Sequence, residues 1–201
     1  VTIECDADTS PDNPDLGRPT ATDNCTADAD ISITKEDVTT PSASCVNEST
    51  ILRTWTIADA CGNAVSCTQT ITIEDSTLPE IACPQDITVE CSDNLNPFAD
   101  DSPLILPTVS DNCSAASDVA ITYDDNEDNI DFCSDLESYI LRTWTATDEC
   151  GNFDTCVQRI NIFDTTAPEF ECPAATVTIE CDADTSPDNP DLGRPTATDN
   201  C

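Results

Sequence analysis

Hydrophobic residues along this chain alternate with polar ones at a period of two, and no segment sustains the spacing of a helix face. Val1, Ile3 and Cys5 share one face of a short run, and Ile51, Arg53, Trp55 and Ile57 share one face of a longer one. Cys67, Gln69, Ile71 and Ile73 do the same, and the pattern returns over 156–162. Alternation of this kind sends successive side chains to opposite faces of a pleat, so it predicts half-buried β-strands. The Arg53 stem is then expected beside the Trp55 indole. Runs this short, broken by Pro- and Asp-rich loops, predict the strands of a sandwich. Fourteen prolines against four glycines favour stiff loops and edge strands over loose linkers.

The pattern repeats at two levels. The run VTIECDADTSPDNPDLGRPTATDNC at 1–25 returns unchanged at 177–201, which sets a period of 176 residues. Inside it, LRTWTIADACGNAVSCTQTITIEDSTLPEIACP (52–84) returns in diverged form as LRTWTATDECGNFDTCVQRINIFDTTAPEFECP (141–173). TIEC at 2–5 answers TVEC at 88–91, and TDNC at 22–25 answers SDNC at 110–113. The expected domains are a first repeat over 1–75, whose start lies before this stretch, a second over 76–164, and the beginning of a third over 165–201. A tandem array works mainly through its length and surface, because each unit contacts chiefly its neighbours. A unit of about 88 residues buries a modest core and gains from covalent staples.

Charge narrows the partners. Asp and Glu total 41 against 6 Lys and Arg, with no His and a formal charge of −35. Such a surface repels nucleic acid and anionic lipid. It destabilises a compact chain unless cations bind or the shape is extended, and its other reading is a solubilising acidic coat and nothing more. Fourteen cysteines on the repeat framework point to disulfides and an oxidising location. Zinc fits poorly, since there is neither a CxxC pair nor a His. No apolar run approaches a membrane span, and export is expected to be directed by sequence outside this stretch. No His is present, and no Ser or Cys stands beside a plausible base, so no enzyme is expected. Asp124, Asn126 and Asp128 have EF-hand-like spacing but lack its Gly and distal Glu, which reads as a solvated loop. Three sequons, at Asn24, Asn47 and Asn112, are explained by chance, two of them containing a framework cysteine.

PTATDNC, RTWTATDECGN, the final-strand run CTQTITI and the linker DTTAPEFECP together resemble the HYR (hyalin repeat) domain, an immunoglobulin-like β-sandwich. The cysteine-rich form is similar to repeats in very long surface adhesins of Bacteroidetes, including gliding-motility adhesins. The chain departs from the common pattern in having six cysteines per repeat rather than two, and in acidic insertions such as DDNEDNIDF (124–132). The resemblance implies an all-β fold of tandem immunoglobulin-like sandwiches in an elongated, disulfide-stapled array. It implies a non-enzymatic structural and adhesive role in a long extracellular filament or stalk at the cell surface. The expected partners are neighbouring repeats and, beyond them, surfaces, glycans or other cells, with no nucleic acid and no membrane insertion. The alternative is a repeat binding module that recognises glycans or a host or environmental protein. Only nine Phe, Trp and Tyr occur, and the Trp pair falls on core-type strands, which leaves few rings to stack on sugars.

Placing the sequence on that topology brings Cys83 to Cys156, Cys113 to Cys150 and Cys25 to Cys61 at one end of a sandwich. At the other end it brings Cys91 to Cys133 and Cys5 to Cys45. Cys67 would pair with a cysteine before Val1, and Cys172 with one beyond Cys201. A rival scheme joins sequence neighbours, Cys5–Cys25 and Cys45–Cys61. The same placement gathers Asp75, Asp111 and Asp148 between repeats as ligands for a divalent cation, Ca²⁺ foremost, which takes six to eight oxygens. Asp164 and Asp199 would serve the next junction, and Asp23 and Asp59 the one before. Alternatively, these Asp residues only cap turns. Asp-Ser-Thr and Asp-Thr-Thr in the linkers match the O-glycosylation pattern of that phylum and single out Ser76 and Thr165.

Overall fold

A computed structural model of the chain describes residues 1–127, 138–186 and 188–201. The protein is all-β with its sheets in a sandwich-like arrangement. The strands are β1 (Thr2–Glu4), β2 (Ser32–Pro41), β3 (Ser49–Ala58), β4 (Ala64–Glu74), β5 (Glu80–Ala82) and β6 (Ile87–Glu90). They continue as β7 (Thr108–Ser110), β8 (Ala120–Asn126), β9 (Ser138–Thr147), β10 (Phe153–Phe163), β11 (Glu169–Glu171) and β12 (Thr196–Thr198). The chain folds into two compact units. One comprises 1–83 with 107–124 and 143–157; the other comprises 84–106 with 125–142 and 158–201.

In the first unit, four strands form a sheet in the order β1-β4-β3-β2, and β5 pairs antiparallel with β7. Strand β1 runs parallel to β4, while β3 runs antiparallel to both of its neighbours. The period-two pattern decides the inward face: Ile51, Arg53 and Trp55 are buried on β3, and Ile71 is fully enclosed on β4. Leu16 closes this small core with Ile51 and Ile71. A buried guanidinium needs a counter-charge, and Arg53 finds it in Asp37, directly opposite in register. Nε lies 2.8 Å from one carboxylate oxygen and Nη2 3.1 Å from the other, while Nη2 also donates to the Thr9 carbonyl. The Arg53 guanidinium carbon lies 5.7 Å from the centre of the Trp55 ring.

In the other unit, β6 runs parallel to β10, with Ile160 opposite Ile87 and Phe163 opposite Glu90. Val89, Leu104, Ile140, Ile160 and Ile162 form its core. Arg142 repeats the Arg53 arrangement: both prongs meet Asp125 at 2.7 Å, and Nη2 donates to the Leu95 carbonyl at 2.8 Å.

Among the described residues the disulfides are Cys5–Cys113, Cys45–Cys150, Cys83–Cys156 and Cys91–Cys201. Three expected pairs, Cys5–Cys45, Cys113–Cys150 and Cys91–Cys133, are therefore replaced by bridges from one repeat to the next. Cys133 itself lies outside the described residues. Cys25 and Cys61 stand exposed and unbridged rather than joined to each other, and Cys67, Cys172 and Cys181 are also free. Neither bridge of the neighbour scheme forms. The reason is topological. Because Glu4 on β1 lies opposite Glu74 on β4, Cys5 emerges beside Asp75, where the chain leaves the first sheet. The turns at 111–114 and 148–152 of the second repeat pack against that exit. Exit-end cysteines thus meet the next repeat's entry turns before they can meet each other.

Candidate metal centre

Within the first unit, four carboxylates converge on the exit of the first sheet. Glu4 ends β1 and Asp75 follows β4 by one residue. Asp111 and Asp148 arrive on turns, and each turn is built around its own Asp. The Asp111 carboxylate accepts the amides of Cys113 at 2.8 Å and Ser114 at 2.7 Å through Oδ2. Asp148 Oδ1 accepts the amides of Cys150 and Asn152, both at 2.8 Å, and its Oδ2 accepts Asn152 Nδ2 at 2.8 Å. Gly151, at φ 93°, supplies the left-handed residue that this turn needs. The same Asn152 amide reaches the Asp75 carbonyl at 3.0 Å. Ser114 Oγ is buried between Asn47 Nδ2 at 3.1 Å and the Glu149 amide at 3.3 Å.

Asp75 is the exception among these groups. It is 5% exposed, and neither carboxylate oxygen has a hydrogen-bond partner; Asp111 Oδ1 is likewise buried and unpartnered. An oxygen of Asp75 lies within 4.8 Å of one on Glu4 and within the same distance of one on Asp148. Burial pushes the Asp75 carboxyl above its ordinary value, followed by the charges of Asp148, Asp111 and Glu4; the Thr77 amide pulls weakly the other way. Among the described residues, none of these four carboxylates is paired with a basic side chain. Cys5, Cys113 and Cys150 flank the cluster, but their sulfurs are bound in disulfides and offer no thiolate. The donor set is therefore all oxygen, which suits a hard cation such as Ca²⁺ and not zinc.

The remaining expected ligands fall into two groups. In the second unit, Glu90 and Asp164 approach each other beside the Cys91–Cys201 bridge, and Asp199 accepts the Cys201 amide at 3.3 Å. Asp23 accepts the amides of Cys25 and Thr26, both at 2.8 Å, and Asp59 those of Cys61 at 2.9 Å and Asn63 at 2.7 Å. These bonds hold both carboxyls below the ordinary value, chiefly through the Cys25 amide for Asp23 and the Asn63 side chain for Asp59. Turn capping thus accounts for Asp23 and Asp59 and for part of Asp111 and Asp148, but not for Asp75. The exposed hydroxyls of Ser76 and Thr165 donate to Glu4 and Glu90. Sequence reasoning missed Glu4; its signal was the Glu-Cys pair that recurs at 4–5, 90–91 and 180–181.

Known folds add a limited frame. Structural likenesses include Drosophila N-cadherin EC1-4, at 13% identity and a TM-score of 0.32, over 68% of this chain and 42% of that one. They also include the tandem Ig repeats of Dlar, at 13% and 0.27 over 66% and 82%, and the human desmocollin-1 ectodomain, at 12% and 0.29 over 74% and 36%. The chain spans less than half of the N-cadherin and desmocollin chains, and likeness this distant does not bear on function. No curated protein sequence matches the chain. Residues 1–73 match the family described as an HYR-like domain with 4 cysteines.

Proposed function

We propose that this chain belongs to the non-catalytic repeat region of a long extracellular adhesin, of the gliding-motility type found in Bacteroidetes, and that Ca²⁺ bound between repeats stiffens it. In this reading residues 1–75, 76–164 and 165–201 are successive sandwich repeats along a filament, and adhesion is carried by their surface or by a tip elsewhere. The observation that supports it is Asp75: a buried carboxylate whose two oxygens have no partner among the described residues, with three more carboxylates near it and no basic side chain paired to it there. Isolated buried charge is too costly to keep without compensation, and a divalent cation supplies it here. Glu4, Asp75, Asp111 Oδ1 and Asp148 would hold the ion, with nearby carbonyls and water completing the shell. Calorimetric titration of Ca²⁺ into chelator-treated protein should show binding that Asp75→Asn abolishes. No heat on titration, with melting unchanged by Ca²⁺, would remove the cation from the reading.

A further inference from the structure

The same 25-residue segment occurs twice in this chain, in two different surroundings. At its second occurrence its final cysteine, Cys201, is bridged to Cys91, which follows β6. At its first occurrence the identical cysteine, Cys25, is exposed and free. The corresponding cysteine of the second repeat, Cys113, is bridged to Cys5, which follows β1. Two of the three equivalent positions thus take a cysteine that directly follows the Glu of a short parallel strand. Cys61 differs from its counterpart in the same way: Cys150 is bridged to Cys45, whereas Cys61 is free and exposed.

The surface around the two free thiols is open wherever its counterpart is closed. Asp148, Val119 and Ala146 are 6%, 6% and 0% exposed. Their equivalents Asp59, Ile31 and Ile57 are all partly exposed, and Asn63 is exposed where Asn152 is half-buried. Thr22, Asp23, Ile31, Ile57, Asp59 and Val65 line a cavity of about 460 Å³ on this face, and Val65 is 66% exposed. Both of its capping turns are already formed by Asp23 and Asp59, so the face is preorganised to receive a partner.

We infer that the face bearing Cys25 and Cys61 is a covalent docking surface for the exit end of another repeat of this kind, sealed by two disulfides. The partner is identified by its chemistry. It presents a Glu-Cys pair at the end of a short strand, as Glu4-Cys5 and Glu90-Cys91 do, to reach Cys25. It presents a second cysteine in the β2–β3 loop, as Cys45 does, to reach Cys61. It also brings a buried linker Asp like Asp75, whose carbonyl Asn63 would take as Asn152 takes that of Asp75. This docking does not depend on a cation being bound. Each seal breaks two S–H bonds and forms one S–S bond, and the two electrons and two protons pass to a disulfide oxidant such as glutathione disulfide, which leaves as two thiols.

Non-reducing digestion and mass spectrometry provide the test, with iodoacetamide marking free thiols. In the chain of 201 residues, Cys201 should be recovered linked to Cys91, while Cys25 and Cys61 are alkylated. When residues 1–176 are placed directly ahead of this chain, refolded with glutathione disulfide, the downstream Cys25 should be recovered linked to the upstream Cys91. The downstream Cys61 should be linked to the upstream Cys133. Changing the downstream Cys61 to Ser should then leave the upstream Cys133 alkylated and the Cys25 link intact. Recovery of a Cys25–Cys61 bridge in either chain would overturn the inference, as would alkylation of both downstream thiols in the extended one.

Discussion

Two regions of this protein bury charge, and they settle it in different ways. Inside the sheets, Arg53 and Arg142 are almost wholly enclosed, and each is met by a two-pronged carboxylate and a backbone carbonyl from its own unit. At the exit of the first sheet, Asp75 and Asp148 are equally enclosed, yet the nearby charges are of the same sign. The chain has only six basic residues. Arg18, Lys35, Arg53, Arg142 and Arg194 face Asp12, Asp37, Asp37, Asp125 and Asp188, and Arg159 lies over the Tyr139 ring at 4.2 Å. The sequence places internal counter-charge where it fixes the sandwich; at the exit, the compensation comes from outside only in the proposed reading, by a bound cation. A charge compensated by a bound cation makes stability there depend on that cation; one compensated from inside does not.

The comparison breaks most sharply at the interior pairs. Arg142→Ala strands the Asp125 carboxylate in a nearly closed site and should cost about 3–5 kcal/mol, with equal loss in Ca²⁺ and in chelator, as read by denaturant unfolding. Replacing both partners by Met and Leu should recover most of that loss. Next in size are the bridges. Reducing Cys45–Cys150 selectively, through a Cys45→Ser, Cys150→Ser pair, should cost roughly 2–4 kcal/mol, since its ends are far apart in sequence. The loss should loosen the turn around Asp148, so that Ca²⁺ affinity falls along with stability in a titration of the same variant.

Removing the cation comes third. At a hundredfold excess over its dissociation constant, Ca²⁺ should stabilise by about 2.7 kcal/mol, a rise in melting temperature of roughly 5–10 °C for a protein of this size. Chelator should reverse that rise without touching the disulfides. A Tm that ignores both would mean the exit carboxylates settle their charge within the protein after all.

The parts of this scheme legible in the sequence were those with a local signal. Period-two alternation located β1, β3, β4 and β10, because burial on one face writes itself directly into a strand, and the internal repeat carried the reading of β3 over to β9. The expected grouping of Asp75, Asp111 and Asp148 had no such signal of its own and rested on the topology that the resemblance implied. Disulfide partners were harder to read. Cys5 and Cys45 sit at the same end of one repeat, and nothing in the spacing shows that the turns of the next repeat approach closer. That outcome depends on how far β1 runs along β4, a register set by Ile3 opposite Ile73 and Glu4 opposite Glu74. Glu4 was hidden for the same reason: its position in a strand says nothing about the linker that returns beside it.

The smallest effect tests the comparison most directly, because its sign depends on conditions. The Asp75 carboxyl is raised above its ordinary value of 3.8 in the folded protein, so the folded state holds its proton more tightly than the unfolded chain. Below the ordinary value both states are protonated and Asp75 costs nothing. As pH rises through the folded value the proton is lost, the buried charge appears and stability falls. In chelator at neutral pH, Asp75→Asn should therefore melt higher than the parent by a few degrees, about 1 kcal/mol at this size, and the gap should close at acid pH. The carboxyls of Asp23, Asp37 and Asp59 are shifted the other way but are common to both proteins, so they cancel in the difference. In saturating Ca²⁺ the order should reverse, because the variant has lost a ligand while the parent has its charge compensated. Arg53→Ala should show no such reversal, and a variant at Asp75 that melts lower in both conditions would make this carboxylate structural rather than a ligand.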